Sequence, residues 1–178
     1  MASSVLILFA HPAYERSRAQ RALLKGLQGL EGVQVHDLYE AYPDFAIDVP
    51  REQKLLEAHA TVIFQFPMFW YSTPAILKEW QDLVLEHGWA YGTGGNALQG
   101  KRFVCATSTG GGLQSYTATG GNRHTIAQLL RPLEQTAYLC GMQPQEPFVV
   151  YGTHNLTDAE LKEAAARYRA LLEGWSGA

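Results

Sequence analysis

The chain has little of what marks a specialised architecture. It holds two cysteines, Cys105 and Cys140, within Phe103-Val104-Cys105-Ala106 and Tyr138-Leu139-Cys140, which suit neither a disulfide framework nor a metal site. Both read as small buried hydrophobes, and a reduced, cytoplasmic setting follows. Lys and Arg total 14 against 17 Asp and Glu, a net charge of -3 with no basic stripe, which excludes a general nucleic-acid binder. No run of about 18 apolar residues exists to span a bilayer, and Met1–Ala10 lacks the basic start of a secretory leader. The six histidines (11, 36, 59, 87, 124 and 154) form no pair at metal-ligand spacing, so no metal is expected, and His36 and His59 read as surface or helix-end residues. Without a Gly-x-Ser-x-Gly elbow or a phosphatase-like cysteine loop, nucleophilic hydrolysis has no agent, which leaves the chemistry to a cofactor.

What is present is an alternation of apolar strands and amphipathic helices, and 178 residues suit a single domain over 1–178. Val5–Ala10 is an apolar run of strand length, and Ser17–Gln28 with Leu23, Leu24 and Leu27 is helical. Gln34–Leu38 is the second strand, Tyr39–Pro50 an irregular excursion, and Arg51–Ala58 a short helix. Ala60–Phe66 is a strand buried on both faces, with Thr73 and Pro74 suited to the N-cap and first turn of the helix that follows. Gly88–Gly100 is a long loop before the fourth strand, Lys101–Ser108. Ile126–Leu139 is helical, Phe148–Tyr151 is the fifth strand, and Thr157-Asp158-Ala159-Glu160 is a capping box opening the last helix. Five strands alternating with helices predict a flavodoxin-like α/β fold, a doubly wound parallel sheet of order 2-1-3-4-5.

In such a sheet ligands bind outside the carboxyl ends of the strands, after strands one, three and four. Those are the loops of unusual composition: His11–Arg16, Pro67–Thr73 and Thr109–Asn122. Pro67-Met68-Phe69-Trp70-Tyr71-Ser72-Thr73-Pro74 puts three consecutive aromatics at that edge, the natural neighbours of a flat aromatic ligand. Ser17 and Arg18 at a helix start suit a phosphate, through free amides and a charge-assisted contact. Glycines at 110 to 112 allow close backbone approach. Together the loops point to a nucleotide-like or flavin-like ligand. Two textual matches fail: Gly95–Lys101 has Walker A spacing, but Arg102 and a strand follow it, and Gly110-Gly111-Gly112 lacks the spacing of a dinucleotide fingerprint.

At these residues the sequence resembles the NAD(P)H:quinone oxidoreductase family of flavodoxin-like flavoproteins. The resemblance rests on His11-Pro12 with Ser17, the block Pro67–Trp80, His87-Gly88-Trp89-Ala90-Tyr91-Gly92, and Thr107-Ser108-Thr109-Gly110-Gly111-Gly112. Within the family the chain is most similar to the ancillary flavoproteins of glutathione-regulated potassium-efflux systems (KefF type). The resemblance implies a homodimer that binds FMN, with FAD the alternative, and moves two electrons from NAD(P)H to a quinone by ping-pong hydride transfer. Carried over by position, His11, Ser17, Arg18, Ala19 and Gln20 hold the phosphate and ribityl chain. Pro67, Met68, Phe69, Trp70 and Tyr71 line the isoalloxazine, and Ser108, Thr109, Gly110 and Gly111 meet its polar edge. Tyr116 matches a tyrosine that assists the substrate side, and either Arg123 or His124 takes the place of the family's histidine. Phe69, Trp70, Trp80, Trp89 and Tyr91 are read as aromatic surface for a dimer.

Three functions compete. The first is a quinone reductase, acting on a quinone or another small electrophilic acceptor. The second is a regulatory subunit docking on a potassium/proton antiporter at the inner membrane, and the third a flavodoxin-like electron carrier, disfavoured by the mild charge.

Overall fold

The computed structural model describes residues 4–176; the first residues of Met1–Ala10, read above for a leader, and the last two of the chain lie outside it. Strands β1 (Val5–Phe9), β2 (Val33–Asp37), β3 (Thr61–Pro67) and β4 (Arg102–Ser108) are parallel. They follow the order β2-β1-β3-β4. Two short strands share the outer side of β4: β5 (Gln143–Pro144) pairs with Arg102 and Phe103, and β6 (Phe148–Val150) with Ala106 to Ser108. The expected fifth strand, Phe148–Tyr151, forms as β6, and β5 is an additional short strand ahead of it. Pro144 and Pro147 lack the N–H a continuous ladder needs, and prolines are tolerated at such an edge.

Successive residues of β1 feed opposite faces, as the pleat requires. Val5, Ile7 and Phe9 enter a core layer with Ala19 and Leu23 of α1 (Arg18–Gly26), Leu27 just after it, and Leu161, Ala165, Tyr168 and Leu172 of α7 (Asp158–Ser176). Leu6, Leu8 and Ala10 face the opposite layer, built from α2 (Leu38–Ala41), α3 (Val49–Ala58), α4 (Ala75–Val84), α5 (Ile126–Leu129) and α6 (Arg131–Leu139). There Phe64 meets Trp80 and Phe103 edge-on at 5.6 and 4.9 Å, each pair adding about 0.5–1.5 kcal/mol beyond its burial. Helices α1 and α7 touch because residue 26 is glycine: a Cβ there would come within 3.0 Å of the Ala165 Cβ. Arg169 then donates to the Gly26 and Gln28 carbonyls, which the helix end leaves without partners.

Several local expectations change. Ile126–Leu139 is two helices meeting at Leu130, because Pro132 cannot supply a helical amide. Thr73 does not cap α4; Pro74 occupies the N-cap with no side-chain bond. Asp37 ends β2 and caps α2, so the excursion opens as a helical turn. The capping box at Thr157 and Glu160 forms in both directions. His36 and His59 are both buried: His36 bonds Glu52, whereas His59 is a helix-end residue as expected, capping α3 and bonding the Leu55 carbonyl. Cys105 and Cys140 are buried and free, and burial pushes both thiols up from their ordinary pKa.

Candidate functional site

The parallel ladders bring the loops after β1, β3 and β4 to one edge, and backbone bonds lock them together. The Ala10 amide donates to the Gln65 carbonyl, and the Met68 amide to the Ser108 carbonyl. A fourth loop, after β6, supports the glycine run: Gly152 and Thr153 donate to the Gly111 and Thr109 carbonyls, and Thr109 donates to Val150.

In the first loop His11 Nδ1 accepts the Ala13 amide at 3.0 Å, which places the proton of the neutral ring on Nε2. Burial holds the ring's pKa below its ordinary value and outweighs an opposing backbone hydrogen bond, so at neutral pH His11 is a neutral donor. Ser17 caps α1, accepting the Gln20 amide at 3.2 Å. The Arg18 and Ala19 amides that open the helix have no partner among the described residues and face the N-terminal end of the helix dipole. The Arg18 guanidinium is turned away to Asp158 at 2.6 Å, so this residue offers the edge its backbone and not its charge.

The aromatic loop is a strained turn. Phe69 and Ser72 exchange backbone hydrogen bonds of 3.0 and 2.9 Å around Trp70 and Tyr71, whose φ values are +48° and +64°. Two left-handed central residues define the turn that normally carries Asn-Gly, and a non-glycine residue there costs about 1–2 kcal/mol. The turn holds Trp70 93% exposed, with Phe69 and Tyr71 also exposed, and Pro67 and Met68 buried and half-buried beneath. The Phe69 ring stands edge-on to His11 at 6.0 Å, and the Tyr71 hydroxyl donates to Asn122 Oδ1 at 3.2 Å, tying this turn to both neighbouring loops. Trp80 is fully buried, and Trp89 and Tyr91 pack half-buried on the core, so the exposed aromatic surface is narrower than expected.

In the loop after β4, Ser108 and Thr109 are buried while Gly110 is exposed. A Cβ on Gly110 would lie 2.8 Å from His154 Nε2, and one on Gly111 3.3 Å from the Tyr116 ring, so bare backbone fills a narrow cradle. Tyr116 is buried and tilted against Tyr151 at 6.0 Å; Arg123 (φ +59°) and His124 are exposed. Of that segment it is Asn122, not Arg123 or His124, that bonds the aromatic turn.

Beneath the edge lies a buried relay absent from the sequence reading. Tyr168 Oη donates to Gln65 Oε1 at 2.9 Å, Gln65 Nε2 to Gln20 Oε1 at 2.8 Å, and Gln20 Nε2 to Ser108 Oγ at 3.0 Å. A signal is present: Gln65 is the one amide in a largely apolar strand, and a buried amide needs partners. The supporting loop with His154 and Gly152 gave no comparable signal, because only the tertiary pairing of β6 brings it over Gly110. A cleft of about 1000 Å³ between α1 and α7 meets this edge at Tyr14 and Arg18. No helix among the described residues is long and apolar enough to cross a membrane, and no cluster there could hold a metal.

Known proteins are similar to this chain in sequence and in fold. The chain is 45% identical over 162 residues to the "Uncharacterized NAD(P)H oxidoreductase YrkL" of Bacillus subtilis, covering 91% of this chain and 93% of that one. It is 46% identical over 164 residues to the glutathione-regulated potassium-efflux system ancillary protein KefG of Pectobacterium atrosepticum, covering 92% and 90%. Among solved structures, general stress protein 14 of Treponema denticola in complex with FMN superposes with a TM-score of 0.92 at 37% identity over 97% of this chain and 99% of that one. An NADPH-quinone reductase of P. pentosaceus superposes with a TM-score of 0.86 at 30% identity, covering 94% and 96%. With residues 3–172 matched by the family model described as "Flavodoxin-like fold", the chain belongs to the flavodoxin-like fold family.

Proposed function

We propose that the chain is an FMN-dependent NAD(P)H:quinone oxidoreductase. The observation that carries this reading is the convergence on one sheet edge of unpartnered helix-start amides, an aromatic turn and a side-chain-free glycine cradle. The residues fit the cofactor. The Arg18 and Ala19 amides, the Ser17 turn and His11 Nε2 suit a phosphate, and the glycine cradle admits a flat ring beside Thr109 to Gly111. FMN is favoured over FAD because the Treponema relative is described in complex with FMN.

When bound, FMN supplies reversible two-electron chemistry, with NAD(P)H as donor and a quinone as acceptor. The chain's own part is binding and electrostatics. Backbone amides of the glycine loop would stabilise negative charge on the bound ring, and fixed donors of this kind cost no reorganisation. Tyr116, buried beside Tyr151, is the proposed proton-holding group on the substrate side, with Asn122, fixed by Tyr71, and the exposed Arg123 or His124 beside it. The exposed Phe69, Trp70 and Tyr71 support a homodimer closing over the edge. The test is an anaerobic visible spectrum of the FMN-loaded, desalted protein. Flavin bands that bleach with NADPH and return on adding a quinone support the reading, and a colourless desalted protein removes it.

A second reading is favoured by the identity to KefG over nine-tenths of the chain: a cytoplasmic ancillary subunit of a potassium-efflux antiporter. It is compatible with the first. Co-purification with such an antiporter, with or without flavin, separates the two.

A further inference from the structure

The relay beneath the loop edge has a direction, and its direction decides what Ser108 can do. Tyr168 lies at one end, fully buried, and Gln65 is its hydrogen-bond partner among the described residues. A phenol has one proton, and burial keeps it bound, so the hydroxyl must donate into Gln65 Oε1 or leave that proton unpaired in the core. With its oxygen turned to Tyr168, Gln65 presents its NH₂ to Gln20. Gln20 must then show its oxygen to Gln65 and its NH₂ to Ser108, whose hydroxyl oxygen accepts. Each amide thus has its orientation set by the group before it. At the far end the Ser108 hydroxyl proton has no partner among the described residues, and Ser108 is the last residue of β4, at the loop edge. The four side chains come from α7, β3, α1 and β4, so the direction is fixed by tertiary packing and not by any local segment.

The geometry points to Tyr168, Gln65 and Gln20 as positioning residues that hold Ser108 as an outward hydrogen-bond donor, selecting a ligand that offers an acceptor oxygen or nitrogen there. This rests on the flavin reading only for the acceptor's identity; the direction of the relay stands independently. Tyr168 is remote from the site and touches no ligand, so its effect must pass through the two amides. Removing its hydroxyl frees Gln65 and Gln20 to turn over together. The Ser108 proton is then drawn inward to an amide oxygen, and the edge gains a lone pair where it had a donor.

The test is a double-mutant cycle in FMN affinity, read by flavin fluorescence, on the full chain. Tyr168→Phe keeps the ring and its packing on Phe148. It is expected to weaken FMN about three- to ten-fold, the size of one hydrogen bond, as is Ser108→Ala. In the Ser108→Ala background Tyr168→Phe is expected to add nothing, because both act on one donor. Losses that multiply, or unchanged affinity in Tyr168→Phe, overturn the proposal. Neutron diffraction from ligand-free wild-type crystals reads the same point without flavin. A deuteron of Tyr168 toward Gln65 and one of Ser108 away from Gln20 is the expected result; a Ser108 deuteron on Gln20 overturns it. If the wild type fails to bind FMN, the flavin reading falls and the neutron result still decides the relay.

Discussion

Two buried polar networks lie on opposite faces of the sheet, and they are built differently. On one face Glu52 Oε1 accepts from His36 Nε2 at 2.8 Å and Tyr42 Oη at 2.6 Å, and Oε2 accepts from Trp80 Nε1 at 2.8 Å. On the other, Tyr168, Gln65, Gln20 and Ser108 form an open, uncharged chain. The first is a hub: every donor ends on one carboxylate, nothing is left over, and it clamps α3 and α4 to the end of β2. The second is a line that begins in the core and ends at the ligand edge with a proton unused. A closed charged hub holds a fold together, whereas an open neutral chain carries an orientation from one place to another.

The largest effect that would sharpen this contrast is on stability. Glu52→Ala leaves three buried donors without an acceptor and is expected to cost about 3–5 kcal/mol in urea unfolding, with FMN affinity of the folded fraction unchanged. Tyr168→Phe should show the reverse pattern, a small stability loss and a measurable affinity loss. If Glu52→Ala loosens FMN as much as it destabilises, the division between hub and line fails.

The hub also carries a pH signature. Burial alone would raise the Glu52 pKa, but hydrogen bonds from His36, Tyr42 and Trp80 outweigh it and hold the carboxyl below its ordinary 4.5. With the folded value below the unfolded one, the stabilisation is complete above about pH 4.5 and is lost as pH falls through the folded value. The urea midpoint of the wild type should therefore drop more steeply below that pH than the midpoint of Glu52→Gln. Parallel curves would contradict the assignment.

Replacing Trp70-Tyr71 by Asn-Gly, the residues this turn prefers, is expected to stabilise the fold by about 1 kcal/mol while weakening FMN, checked by thermal unfolding and fluorescence titration. A loss of stability would mean the turn is not strained. Smallest of all, Tyr71→Phe removes one exposed hydrogen bond to Asn122 and should change stability by about 0.5 kcal/mol or less.

These differences also show what a sequence exposes. The apolar runs of β1, β3 and β4 mark the sheet, because strands buried on both faces read as short continuous apolar runs. The loops after them were legible for the same reason: composition changes where the strands end. Less was visible wherever proline or tertiary contact decided, as in the break at Leu130 and the additional short strand β5. His36 looked like a surface residue because its partner, Glu52, sits 16 positions away on another element. Arg18 reads as a free charge at a helix start because Asp158, which pairs with it, is 140 positions away. Trp80 is buried although the sequence reads it as surface, because a lone aromatic in a helix does not declare which face it takes.

The measurement that bears most directly on the account is FMN titration of the wild type beside Gly110→Val, with Glu52→Gln as a folded control. Residue 110 has an ordinary φ, and the exposed His154 ring can swing aside, so the fold accepts valine while the cradle is filled. The account predicts one FMN bound per chain in the wild type and in Glu52→Gln, and binding weakened at least about tenfold, some 1.4 kcal/mol, in Gly110→Val. Equal FMN binding by Gly110→Val and the wild type, or none by any of the three, would contradict it.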